Sequence, residues 1–139
     1  MAAPDFLDAN VLVYAYDPTN SRKQRLSRDL LRKALGGEMV WSAQVLAEFA
    51  ATLLHKMSPR AKPEDVIAVL DTLAPVRVIP QDEDMVRRAV KAHATYGLHF
   101  WDGMIVAAAE RGGCGRIWSE DFNPGQTYFG VTVENPFLA

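Results

Sequence analysis

Short apolar runs alternate along this chain with longer stretches whose apolar residues recur at helical spacing, and that alternation restricts the fold more than any other feature. Phe6-Leu7 closes the first run, Glu38 to Trp41 forms the second, Val76 to Ile79 the third and Arg116 to Trp118 the fourth. Each is short enough for a strand, and a helical stretch separates it from the next. Strands that alternate with helices give an α/β fold with a mostly parallel central sheet flanked by helices. In such a sheet the carboxyl ends of the strands share one edge, where ligands collect. At 139 residues the chain is read as a single domain, residues 1–139, large enough to bury a core without staples.

The local signals agree. Val11 to Tyr16 is apolar on all sides and predicts a buried helix with Asn10 as its N-cap. Thr19 or Asn20 caps a helix that runs to about Leu35 and closes at Gly36-Gly37. Ser42 caps the next, with Val45, Leu46, Phe49, Ala50, Leu53 and Leu54 on its core face and Gln44, Glu48 and His55 on its polar side. Pro63 opens a helix to Leu73, with Glu64 and Asp65 at its amino end. Asp82, Glu83 and Asp84 open a helix carrying Met85, Val86, Ala89, Val90 and Ala94, and these acids sit where a helix dipole favours negative charge. Phe100 to Ala109 is a helix that is apolar all round and should be buried on most sides. Asn123-Pro124-Gly125 is a turn, and Val131 to Val133 is a last, short edge strand.

Composition narrows the function classes. A single cysteine, Cys114, excludes an internal disulfide and a cysteine-based zinc site. No secretory signal or membrane-length apolar run is visible, so a cytoplasmic protein is expected. The net charge of −2 offers no general attraction to nucleic acid, which must then come from a local patch. One candidate is the face carrying Arg22, Arg25, Arg28 and Arg32, opposite Leu26, Leu30, Leu31 and Leu35. It reads either as a solvated basic face or as a stripe that contacts phosphates.

Four acids stand out by position. Asp8 follows the first strand, Glu48 lies early in a helix entered directly from the second, and Asp121 follows the fourth. Asp102 sits on the buried face of its helix beside Ile105, Val106 and Ala109, where a carboxylate must be capped, paired or bound to a cation. Three of them have a plainer reading: Asp8 and Asp102 as caps, Glu48 as a surface glutamate. Together at one sheet edge they repel one another and cannot all stay ionised without cations. Oxygen ligands without His or Cys suit Mg²⁺ or Mn²⁺. One or two such ions can activate a water for in-line hydrolysis of a phosphodiester, with no covalent enzyme intermediate.

Phe6-Leu-Asp8-Ala-Asn10-Val-Leu-Val-Tyr-Ala, Gln44-Val-Leu-Ala-Glu48-Phe, Trp101-Asp102-Gly-Met-Ile-Val-Ala-Ala-Ala and Ser119-Glu-Asp121 resemble, in this order and spacing, the successive motifs of PIN domains, most of all the VapC-type toxins. The resemblance extends over essentially the whole chain, including Val131-Thr-Val-Glu-Asn-Pro-Phe. It implies a PIN-like three-layer sandwich and a Mg²⁺- or Mn²⁺-dependent endoribonuclease. It also implies a homodimer held inactive by a VapB-type antitoxin. Asp8, Glu48 and Asp102 match the core acids, Asp121 the fourth with Glu120 as its rival, and Asn10 and Ser119 match supporting positions. Two other classes stay open. A haloacid-dehalogenase-like phosphatase also begins with an aspartate after its first strand, but it needs a second aspartate where this chain has Asn10. A PIN-like module that only binds RNA or protein should tolerate loss of its acids.

Overall fold

A computed structural model describes residues 2–138. The strands are β1 (Asp5–Leu7), β2 (Met39–Ser42), β3 (Val78–Ile79), β4 (Arg116–Trp118), β5 (Thr127–Tyr128) and β6 (Val131–Glu134). The helices are α1 (Ala9–Tyr14), α2 (Ser21–Leu35), α3 (Ala43–His55), α4 (Pro63–Leu73), α5 (Glu83–Tyr96) and α6 (Phe100–Arg111). They build an α/β fold around one six-stranded sheet in the order β3-β2-β1-β4-β6-β5. Every pairing is parallel except that of β5 with β6.

Successive residues of a strand face opposite sides of the sheet. Phe6 and Leu7 in β1 are both fully buried, as are Val40 and Trp41 in β2, so helices must cover both faces. They form two groups: α1 packs on α2 and α3 and α3 on α4, while α5 packs on α6. At α6 every residue from Gly103 to Ala109 is buried, as its all-round apolar sequence requires. A Cβ at Gly103 would lie 2.8 Å from the Ala89 carbonyl oxygen, so the approach of α5 to α6 depends on glycine there. Among the described residues no helix is long and apolar enough to cross a membrane.

Several expectations need correction. The cap of α1 is Asp8, not Asn10: the Asp8 carboxylate accepts the Ala9 amide, while Asn10 already lies inside the helix. The third strand is only Val78–Ile79, and Val76 is buried ahead of it. The last strand is not the edge. β6 lies between β4 and β5, and the edge strand β5 folds back through Phe129 and Gly130, both at positive φ, the geometry of a tight hairpin. On α5 the core residues are Met85, Ala89 and Ala92, whereas Val86 and Val90 face outward. Gln44, expected on a polar face, is buried.

Candidate active site

Parallel pairing of β1 with β4 sets Leu7 opposite Trp118, so the residues that follow, Asp8 and Ser119, leave the sheet side by side. The Asp8 amide donates to the Trp118 carbonyl at 3.0 Å. One Asp8 carboxylate oxygen accepts the Ala9 amide at 2.7 Å and the other accepts the Ser119 hydroxyl, also at 2.7 Å. Ser119 is fully buried and its oxygen is itself addressed twice, by the Asn10 amide nitrogen at 3.2 Å and the Asp121 backbone N–H at 3.1 Å. This hydroxyl therefore joins α1 to the loop after β4 and fixes the orientation of Asp8.

Asp8 is only 4% exposed, and burial pushes its carboxyl up to about 7. The two hydrogen bonds pull it down, and the charges of Asp121 and Glu48 raise it further. Asp102, in the first turn of α6, is half-buried and is also raised, first by burial, then by Asp121, with a smaller push from Glu48 and an opposing pull from His99. Asp121 and Glu48 thus act on both Asp8 and Asp102, which draws the four acids into one group beyond the carboxyl ends of the parallel strands. Asp121 and Glu48 are exposed at the surface of this group. Among the described residues six carboxylates are in ion pairs, and none of these four is one of them. Nor, among the described residues, are three acidic, His or Cys side chains already placed to hold one metal ion.

Glu120, the rival of Asp121, is committed elsewhere. It accepts the Lys23 ammonium at 2.8 Å and the Tyr14 hydroxyl at 2.7 Å. Glu48 is held by Gln44, whose amide nitrogen donates to it at 2.7 Å and reaches the Trp101 carbonyl at 3.2 Å. The Gln44 oxygen accepts the Gln81 amide at 3.3 Å. Gln44 thus ties the Glu48 side chain to the start of α6, directly before Asp102. Sequence reasoning missed this residue; its four-residue spacing from Glu48 was the available signal.

The basic face is divided. All four arginines are exposed, but Arg22 donates to the Phe137 carbonyl at 2.8 Å, Arg28 to the Ala15 carbonyl at 2.9 Å, and Arg32 pairs with Asp29. Arg25, Arg28 and Arg32 line a shallow depression with Ser21, Gln24 and Asp29.

A six-stranded, mostly parallel sheet with an acidic group at its carboxyl edge defines the class. Residues 6–129 match the family described as PIN domain, and the chain belongs to that family. No curated protein matches its sequence. Among solved structures it is similar to a toxin–antitoxin complex from Klebsiella pneumoniae, with TM-score 0.70 and 17% identity over 96% of this chain and 98% of that one. It is also similar to FitAcB from Neisseria gonorrhoeae, with TM-score 0.64 and 21% identity over 96% of this chain and 98% of that one. A third similar structure is VapC20 of Mycobacterium tuberculosis, described as a toxin that cleaves the sarcin–ricin loop, with TM-score 0.67 and 17% identity over 92% of this chain and 98% of that one. At these identities the likeness speaks for the fold.

Proposed function

We propose that this chain is a Mg²⁺- or Mn²⁺-dependent endoribonuclease, the toxin of a VapBC-type pair, acting in the cytoplasm as a homodimer and restrained by a VapB-type antitoxin. The observation that carries the reading is the set Asp8, Glu48, Asp102 and Asp121. Burial, together with the charges of Asp121 and Glu48, raises the Asp8 and Asp102 carboxyls, and among the described residues none of the four acids has a cationic side chain paired with it. A buried carboxylate without a counter-charge is costly. The donors are all oxygen, which suits a hard divalent ion. Buried Asp8 and half-buried Asp102 would anchor such an ion, exposed Asp121 has the freedom to close on it, and Glu48 is held in place for it by Gln44. Such an ion supplies Lewis-acid activation of a water and charge stabilisation at the leaving oxygen of a phosphodiester.

The chain's own residues do the positioning. Ser119 orients Asp8, Asn10 and the Asp121 amide orient Ser119, and Gln44 orients Glu48. Burial around Asp8 excludes water and strengthens every charge interaction there. Arg25 and its neighbours on α2 are proposed to hold the RNA backbone. The likeness to the toxin–antitoxin complex from Klebsiella pneumoniae supports the pairing with an antitoxin.

The test is cleavage of single-stranded RNA by the purified protein, with EDTA and then with Mg²⁺ or Mn²⁺ restored. Internal cleavage that appears only with the ion, and that Asp102→Asn abolishes, supports the reading. A protein that binds RNA equally well with and without its acids, and cuts none, is a binding module.

A further inference from the structure

Beside the acidic group a groove of about 400 Å³ runs between α1 and α3. Glu48 and Asp121 of the acidic group line it, together with Thr52, Lys56 and Met57 and with Val13 and Tyr14 of α1. Glu48 and Thr52 of α3 and Lys56 at its C-cap follow at four-residue intervals, so they lie on one side, with Lys56 about 12 Å along the axis from Glu48. Most charge in the groove is negative, from Asp17, Glu48, Glu120 and Asp121, and Lys56 is the one cation among its lining residues. Lys56 is exposed and, among the described residues, is in no ion pair.

We infer that this groove carries the RNA strand away from the scissile phosphate, with Lys56 gripping a phosphate beyond the one being cut and Val13 and Met57 seating a base. The inference rests on the nuclease reading above and adds the path of the substrate. A polyanion entering an acidic groove needs a cation at each place where a phosphate comes to rest, and Lys56 supplies one away from the carboxylates. The volume suits one unpaired nucleotide with mixed polar and apolar walls, the setting in which single-stranded RNA is recognised. Lys56 also stands at the C-cap of α3, where positive charge complements the helix dipole. That plainer role affects stability but not RNA affinity.

The experiment measures binding of a fluorescent single-stranded RNA across a salt series in Mg²⁺, in the Asp102→Asn background so that cleavage does not intervene. Lys56→Ala should weaken binding about tenfold and reduce the log–log salt slope by about 0.7, while Lys56→Arg restores both. Lys91→Ala, which removes an exposed lysine on α5 outside the groove, should change neither. In the otherwise unaltered protein Lys56→Ala should raise KM and leave kcat near its parent value. Unchanged affinity and slope for Lys56→Ala overturn the inference, as does an equal loss for Lys91→Ala. If the parent protein cuts no RNA but Lys56→Ala still weakens binding, the groove stands and the nuclease reading fails. If the parent cuts RNA normally and Lys56→Ala is indistinguishable from it, the nuclease reading stands and the groove fails.

Discussion

Replacing Asp8 with asparagine should stabilise the metal-free protein near pH 8 while changing its stability little near pH 5. The Asp8 carboxyl rises from an ordinary 3.8 to about 7, chiefly because it is buried. At about 1.4 kcal/mol per unit, ionising it in the folded protein costs about 4 kcal/mol by pH 8. The sign follows from linkage: the folded chain holds this proton more tightly than the unfolded chain. The resulting stability is fully present below the unfolded value, near 3.8, and is lost as pH rises through about 7. Between pH 5 and pH 8 the parent should therefore lose about 2–3 kcal/mol through Asp8, and the asparagine variant none. Against this, asparagine turns a donor toward the Ser119 hydroxyl, which now donates to Asp8. That conflict costs about 1–2 kcal/mol and is the same at every pH. The two effects nearly cancel at pH 5 and leave the variant ahead by about 2–3 kcal/mol at pH 8. Urea unfolding in EDTA from pH 5 to pH 8 measures it. Parallel stability curves for parent and variant would refute the argument, because they would mean that Asp8 titrates normally in the folded state.

Other consequences are equally direct. Gly103→Ala should lower stability by about 1–3 kcal/mol in thermal or urea unfolding, because its new methyl meets the Ala89 carbonyl oxygen. It should also reduce cleavage, since the shift displaces the first turn of α6 and Asp102 with it. Asp121→Asn should slow cleavage more than Glu120→Gln does in a time course at saturating RNA, because Glu120 is held by Lys23 and Tyr14. The opposite ranking would make Glu120 the fourth acid. Arg25→Glu with Arg28→Glu should weaken RNA binding and flatten its salt dependence; an unchanged slope returns α2 to a solvated face.

How much was legible in the sequence depended on whether a residue's partner was local. Asp8 and Asp102 stood out because a carboxylate within an apolar run has no bland surface to occupy. The sheet was legible because helices must lie between parallel strands. The cap of α1 was misassigned because Asn10 spends its amide on Ser119, more than a hundred residues away in sequence, and no local pattern records that bond. Gln44 looked like surface for a related reason: its partners lie in α3, in α6 and ahead of α5. The ion pair that occupies Glu120 depends on where α2 places Lys23, a tertiary fact. Strand β5 escaped notice because two residues carry no periodicity. Val86 and Val90 show the reverse failure, since apolar residues at helical spacing can face outward when alanines make the close contact.

The chemistry of the cut ends tests the central claim most directly. A water that attacks phosphorus in line, without the RNA 2′-hydroxyl, leaves 5′-phosphate and 3′-hydroxyl ends. Products of a uniform RNA oligonucleotide, made with Mg²⁺ or Mn²⁺ and resolved by mass spectrometry, should carry those ends and should vanish with Asp102→Asn. Fragments ending in 2′,3′-cyclic phosphate, or cleavage that survives both EDTA and Asp102→Asn, would contradict a metal-dependent hydrolysis at the four acids.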